Sequence, residues 1–83
     1  MSEVQIKQVV GIMTRLAEDN SVPRNIRRAA SEAKEILLGK EGDIGVRAAS
    51  ARMRMEEISN DPNMPVHART LIWNALSILE TIR

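Results

Sequence analysis

At 83 residues the chain is long enough for one small domain, and chains of this size bury only roughly 60–65% of their unfolded surface. Its 43% of hydrophobic residues are too many for a disordered chain, and its formal charge of +1 is too small to indicate nucleic-acid or membrane binding through bulk charge. The absence of cysteine excludes disulfides, thiolate catalysis and cysteine-based metal sites.

The first half of the sequence predicts two helices. The first runs over residues 3–19, where the apolar residues recur at helical spacing and form one broad arc. Residues 20–22 form the turn, and Pro23 suits the first position of a second helix, where no amide hydrogen is needed. The second helix carries a narrow stripe of Ile, Leu and Ala and ends at Gly39. Ala33 lies at the centre of this stripe, so we expect it to contact a neighbouring helix closely.

The second half predicts two more helices. Residues 39–42, Gly-Lys-Glu-Gly, are the clearest linker, and Asp43 is a good N-cap for the third helix. Residues 60–64 form a turn that is dense in Asn, Asp and Pro. The fourth helix begins at Pro65 and is predicted to continue to the last residue, Arg83. Four helices with short connections and one apolar face each predict an all-α, up-and-down four-helix bundle.

The two halves resemble each other at a distance of 42 residues. Residues 16–38 and 58–80 share the same order of turn, proline and helix. We therefore predict one domain, residues 1–83, built from two helical hairpins with repeats at about 3–38 and 44–83. A period near 40 is also typical of HEAT-like helix pairing, although such arrays usually need three or more units. We favour closure of the two hairpins on each other.

Little in the sequence could carry catalysis. His67 is the only histidine, and we interpret it as a neutral surface or capping residue in the first turn of the fourth helix. No serine or aspartate spacing around it suggests a triad. Asn60, Asp61 and Asn63 resemble part of a calcium loop but lack the glycine and the final glutamate of that motif. We therefore predict that the protein is not an enzyme and has no metal ion or other cofactor.

An arginine cluster is the most suggestive charged feature. Arg24, Arg27 and Arg28 lie in the first two turns of the second helix, where the helix dipole favours acids. They could bind phosphate or carboxylate groups, as in a nucleic-acid or ribonucleoprotein accessory factor. They could also form local ion pairs, and we favour this interpretation. The acids available for such pairs are Glu18, Asp19, Glu32 and Glu35.

Several apolar residues fall outside the predicted core. Val46, Ala49 and Met53 lie opposite the core face of the third helix, and Val66 and Trp73 lie away from the core face of the fourth. Either a terminus or loop covers these residues, or a partner does, since Trp and Met are enriched at protein interfaces. For Trp73 we favour packing inside the chain. The leading hypothesis is a small interaction or structural module that binds a protein partner or self-associates as a homodimer through helix three.

The start of the chain shows no signal-peptide pattern, and no apolar run approaches the roughly 20 residues of a membrane span. We therefore expect a cytoplasmic protein with no membrane partner, and the sequence indicates no small-molecule substrate.

The doubled turn and proline segment also carries a resemblance. Residues 18–30 read EDNSVPRNIRRAA, and residues 60–65 read NDPNMP. This arrangement is similar to a small archaeal family, number one hundred and forty-seven in the UPF series of uncharacterised proteins. The resemblance covers essentially the whole chain. It implies a compact four-helix bundle without an assigned activity, and it implies no catalytic or ligand-binding residues.

Overall fold

The computed structural model describes residues 2–82. The helices are α1 (Ser2–Ala17), α2 (Arg24–Leu38), α3 (Ile44–Ser59) and α4 (Val66–Leu79). Consecutive helices pack against each other and α4 also packs against α1, so the four helices close into a ring around one core. The bundle measures 33 Å by 19 Å by 19 Å. The predicted all-α four-helix bundle is confirmed, whereas the HEAT-like pairing stays a prediction.

The helix starts follow the predicted capping chemistry closely. Asp43 is the N-cap of α3, and one of its carboxylate oxygens accepts the backbone N–H of Val46 at 2.9 Å. Pro23 and Pro65 are the N-caps of α2 and α4. Each proline has extended backbone angles and precedes its helix by one residue. Both helices therefore begin one residue later than predicted, with the proline at the N-cap instead of the first helical position.

Two helices end earlier than predicted. Helix α1 stops before Asp19, because the carboxylate of Asp19 accepts the backbone N–H of Ser21 at 2.9 Å and shapes a turn there. Helix α4 stops at Leu79 instead of continuing to the chain end. The N–H groups of residues 81 and 82 bond to carbonyls three residues earlier, which tightens the last turn. The predicted end of this helix, Arg83, lies outside the described residues.

The core consists of aliphatic, methionine and alanine side chains, and no polar or charged residue of the described part is buried in it. Ala33 is fully buried at the centre of α2, as predicted. Val22 and Met64 were predicted only as turn residues, yet they are 1% and 6% exposed. They close the bundle at the end where the α1–α2 and α3–α4 turns meet. Burial of a side chain of this size contributes roughly 1.5–3 kcal/mol.

Candidate functional site

Helices α3 and α4 each expose large apolar side chains on the side away from the core. Val46 is 55% exposed, Met53 61%, Val66 81% and Trp73 57%, while Ala49 between them is half-buried. We call these five residues the outer face. The favoured interpretation that Trp73 packs inside the chain is therefore wrong. Within the described residues neither a terminus nor a loop covers the outer face.

Helical geometry explains why these residues point outward. Val46 and Met53 are seven residues apart, which is nearly two helical turns, so they lie on the same side of α3. Val66 and Trp73 have the same separation on α4. The buried residues fall on the opposite sides of the two helices. They are Ala48, Ala51, Met55 and Ile58 in α3, and Ala68, Ile72, Ala75 and Leu79 in α4.

The first hairpin, α1 and α2, differs at the equivalent positions. Subtracting 42 from each residue number of the outer face gives Val4, Lys7, Gly11, Arg24 and Ser31, which we call the counterpart face. Only Val4 is a large apolar residue in this set. The counterpart face therefore carries two basic residues and two small ones where the second hairpin carries alanine, valine, methionine and tryptophan.

The arginine cluster at the start of α2 does not form the predicted ion pairs. Arg24 and Arg28 are exposed, and neither takes part in an ion pair within residues 2–82. Arg27 is half-buried, and its Nη1 donates to the side-chain oxygen of Asn20 at 3.5 Å. The favoured interpretation of local ion pairs is therefore wrong for these three arginines.

The expected acidic partners are engaged elsewhere. Glu32 accepts Arg54 Nη2 from α3 at 2.7 Å, which ties α2 to the second hairpin. Asp19 contacts His67 instead of an arginine. Arg54 lies on the side of α3 that faces α2. Its side chain can therefore contact Glu32 across the boundary between these two helices.

Two other arginines support the ends of helices. Arg47 Nη1 donates to the carbonyl oxygens of Leu37, at 3.2 Å, and of Gly39. Arg69 donates to the carbonyl oxygen of Ser59 at 2.9 Å and to that of Asp61 at 3.1 Å. The last carbonyls of a helix lack partners within the helix, so these bonds satisfy groups that would otherwise need water. Both guanidinium groups therefore stabilise the bundle.

A polar cluster joins the two hairpins where the turns meet. His67 Nε2 on α4 lies 2.8 Å from Asp19 Oδ2, and the Asn25 amide on α2 donates to Asp61 Oδ2 at 2.9 Å. Asn25 and His67 are 42 residues apart, as are Asp19 and Asp61. Each aspartate therefore binds a side chain from the helix of the other hairpin, and the two contacts are reciprocal.

Hydrogen bonds lower the pKa of both aspartates. The Ser21 hydroxyl, and after it His67, lowers the pKa of Asp19 from 3.8 to about 2. The side chain of Asn25 is the main cause that lowers the pKa of Asp61. Both carboxylates are therefore held in the ionised form.

The cluster of serine, histidine and aspartate lacks the geometry of a catalytic triad. Ser21 Oγ and Asp19 Oδ2 both approach the same ring nitrogen, Nε2 of His67, at 3.3 Å and 2.8 Å. In a triad the carboxylate and the hydroxyl contact different ring nitrogens. Ser21 Oγ also donates to Asp19 Oδ1 at 2.6 Å. The arrangement joins the α1–α2 turn to α4 and does not prepare the hydroxyl for attack.

A cleft of about 980 Å³ runs between α2 and α3. Arg47 and Arg54 line it, and both are already bound to groups of the bundle. Among residues 2–82, no three His, Cys, Asp or Glu side chains are grouped so that they could hold a metal ion. None of the helices in this part of the chain is long and apolar enough to cross a membrane.

Comparison with known proteins gives one consistent family. The profile of UPF0147, an uncharacterised protein family, matches residues 1–82. The chain is a member of the UPF0147 family. This confirms the resemblance drawn from the doubled turn segment. A UPF0147 protein from Methanothermobacter thermautotrophicus is 54% identical over 83 residues, which cover 100% of this chain and 81% of the relative. One from Saccharolobus islandicus is 51% identical and covers 99% and 92%.

Two crystal structures share the fold. The unknown function protein MMP1188 has a TM-score of 0.91 and 46% identity, with 95% of this chain and 90% of that chain covered. A UPF0147 protein from Thermoplasma acidophilum has a TM-score of 0.90 and 30% identity, with 95% and 93% covered. The names of these relatives assign no activity to the family.

Proposed function

We propose that this UPF0147 protein is a small, non-enzymatic, cytoplasmic interaction module, and that the outer face of its second hairpin is the binding surface. The observation that supports this proposal is the contrast with the counterpart face. Val66 and Trp73 are exposed where the first hairpin has Arg24 and Ser31. If a partner covered these apolar side chains, each Å² of apolar surface removed from water would contribute roughly 25 cal/mol of favourable free energy. Exposed tryptophan and methionine residues are typical of a protein interface.

The chemistry of the chain also supports a binding role over catalysis. The single histidine is held by Asp19 and Ser21 in a contact that joins the two hairpins. The arginines of the α2–α3 cleft are bound to Glu32 and to backbone carbonyls. These groups are committed to the bundle itself, whereas the large apolar residues of the outer face are exposed.

Affinity capture with matched variants tests the proposal. Tagged wild-type protein, a Met53→Glu/Trp73→Glu variant and a Gly11→Glu/Ser31→Glu control would be incubated with an archaeal cell extract. We expect a bound species that the wild type and the control retain and that the Met53→Glu/Trp73→Glu variant loses. Because both variants add two glutamates, general charge effects cancel between them. Equal retention by all three proteins would contradict the proposal.

A second candidate function is contact with nucleic-acid phosphates through the arginine cluster. The observation in its favour is that Arg24 and Arg28 extend into solvent without an ion-pair partner in residues 2–82. Binding through these arginines would weaken steeply with salt. An Arg24→Ala/Arg28→Ala variant should then elute from RNA or heparin at lower salt than the wild type. Absence of wild-type retention near 50 mM salt would remove this candidate.

A further inference from the structure

We propose that a strip of basic side chains on the first hairpin binds the sugar–phosphate backbone of a nucleic-acid duplex. We call these residues the basic strip. They are Arg24, Arg27, Arg28 and Lys34 of α2 and Lys7 of α1. This inference rests on the second candidate function, because the strip contains the same arginine cluster. It adds the two lysines and names the form of the nucleic acid, and it does not depend on the outer face.

Helix α2 carries its basic and acidic side chains on different sides. Arg27 and Lys34 are seven residues apart, which is nearly two helical turns, so they lie on the same side of α2. Glu32 and Glu35 instead line the cleft between α2 and α3. No member of the basic strip takes part in an ion pair within residues 2–82. The positive charges of the strip are therefore not neutralised by the acids of their own helix.

Lys7 extends the strip onto α1. It lines a second cleft together with Leu37 and Leu38, which follow Lys34 by one turn of α2. Lys7 therefore lies on the side of the bundle that carries Lys34. Two acids border the five basic residues, Glu3 and Glu18. Basic groups therefore outnumber acidic ones on this side of the first hairpin.

Arg27 differs from the equivalent arginine of the second hairpin. Arg69 lies 42 residues later and donates to the carbonyl oxygens of Ser59 and Asp61, which supports the end of α3. Within residues 2–82, Arg27 makes no such contact, and its one hydrogen bond joins Nη1 to Asn20 at 3.5 Å. Its Nε is buried and has no hydrogen-bond partner in this part of the chain. The other four strip positions correspond to uncharged residues of the second hairpin, Ala49, Val66, Thr70 and Leu76. Arg27 is therefore not used to support a helix end and is available to a ligand.

The length of the strip suits a polymer with regularly spaced charges. From Arg24 to Lys34 the helix rises about 15 Å. Phosphates on one strand of a DNA duplex follow each other about every 3.4 Å along the axis. A strand that runs along the strip would therefore bring about four or five phosphates to the five basic groups.

The acids on the surface of the bundle do not offer a similar row of charges to the strip of a second copy. Glu32 and Glu57 are paired with Arg54, and Asp19 and Asp61 join the hairpins. The acids away from the strip that take no part in ion pairs or caps within residues 2–82 lie on four different segments. They are Glu35 on α2, Glu41 in the linker, Glu56 on α3 and Glu80 after α4. Charge complementarity therefore favours nucleic acid over a second copy.

The absence of aromatic rings from the strip favours a duplex over a single strand. The chain has no phenylalanine or tyrosine, and Trp73 lies on the second hairpin. Proteins that bind single strands commonly stack the bases on aromatic rings. Contacts with phosphates position a nucleic acid without reading its sequence. We therefore expect the strip to bind duplexes irrespective of their sequence.

Fluorescence anisotropy tests this inference with a labelled RNA duplex, the DNA duplex of the same sequence and the separated single strands. For five phosphate contacts the logarithm of the association constant should fall with the logarithm of salt concentration at a slope of about −4.5. This is a loss of about 500-fold between 50 mM and 200 mM salt. Arg27→Gln/Lys34→Gln should reduce the slope to about −2.7. Arg15→Gln/Lys40→Gln removes the same charge at exposed positions outside the strip and should keep the wild-type slope.

The two equivalent arginines give a second, internal control. Arg69→Gln should lower the melting temperature, because it leaves two carbonyl oxygens without their donor, and should bind the duplex like the wild type. Arg27→Gln should weaken duplex binding and lower the melting temperature by less. Circular dichroism melting measures stability, and anisotropy below the melting temperature measures binding.

Four results would overturn the inference. If Arg24→Ala/Arg28→Ala weakens binding but Arg27→Gln/Lys34→Gln does not, the candidate function stands and the strip is wrong. Tighter binding of single strands than of either duplex would likewise leave the candidate function and overturn the duplex. Self-association that Arg27→Gln/Lys34→Gln abolishes in sedimentation would assign the strip to a second copy. Absence of binding to every nucleic acid near 50 mM salt would overturn both the inference and the candidate function.

Discussion

The first and second hairpins can be compared position by position, because their sequences resemble each other at a distance of 42 residues. Their interiors are alike. Ala33 and Ala75 are both fully buried, and Leu37 and Leu79 are at most 2% exposed. The turns are alike as well, since each turn aspartate accepts the backbone N–H two residues later. Close packing inside a small bundle leaves little freedom for these positions.

The outer surfaces of the two hairpins differ. At the positions of Gly11 and Ser31 in the first hairpin, the second has Met53 and Trp73. Packing within one chain places no demand on either pair, because all four residues are exposed. The difference therefore has no explanation in the stability of the monomer. We propose that it reflects binding to a partner.

The first prediction tests whether the interiors are as similar as they look. Ala33→Leu and Ala75→Leu each add three carbon atoms at a fully buried position. Overpacking of this kind should lower the free energy of unfolding by about 1–3 kcal/mol for each variant. Denaturant titration measures the two losses, which we expect to be similar. A midpoint that does not change for Ala33→Leu would show that α2 does not pack closely at this position.

The second prediction concerns the outer surfaces. Gly11→Ala should raise the free energy of unfolding by about 0.5–1 kcal/mol, because alanine loses less conformational freedom in a helix and finds open space there. Met53→Ala should change it by less than about 0.5 kcal/mol when the protein is dilute. Both values come from denaturant titration near 1 µM.

A large loss for Met53→Ala in dilute protein would contradict the comparison. Met53 would then contribute to the stability of the monomer, and the outer face could no longer be assigned to a partner. Repeating the titration at high concentration sharpens the test. If the protein self-associates through the outer face, the wild type gains stability with concentration, because binding stabilises the folded state by mass action. Met53→Glu should show no such gain.

Much of the fold could be predicted from the sequence, because helical periodicity and turn residues act locally. The N-cap role of Asp43, the burial of Ala33 and the positions of both turns are confirmed. The end of α4 was missed, because its apolar pattern continues through Ile82 although the helix stops at Leu79. Apolar periodicity marks burial and does not by itself mark the last helical residue.

The polar contacts could not be predicted in the same way, because they join residues that are far apart in the chain. Asp19 and His67 are 48 residues apart, and Asn25 and Asp61 are 36 apart. The repeat was the only sequence signal for these pairs. The two donors, Asn25 and His67, are 42 residues apart, and so are the two acceptors, Asp19 and Asp61. The arginines were misjudged for a related reason. Proximity in sequence favoured pairing within α2, whereas Glu32 meets Arg54 across the helix boundary.

The last and smallest expected effect concerns the two aspartates that join the hairpins. The pKa of Asp19 is lowered from 3.8 to about 2, and that of Asp61 is lowered as well. Between pH 4 and pH 2, an unfolded chain binds a proton at these positions more readily than the folded chain does. The contribution of these two aspartates to the free energy of unfolding should therefore be constant above about pH 4. It should fall as the pH drops towards 2.

The variants Asp19→Asn and Asp61→Asn measure how much each aspartate contributes to this acid sensitivity. Asparagine does not titrate, so each variant loses the contribution of one carboxylate to the slope of stability against pH. Asp19 accepts three donors, two from Ser21 and one from His67, whereas Asp61 accepts Asn25 and one backbone N–H. Asp19→Asn should therefore flatten the profile between pH 4 and pH 2 more than Asp61→Asn does. Equal slopes for both variants and the wild type would mean that neither aspartate couples the hairpins through its charge, and that the reciprocal contacts only position the turns.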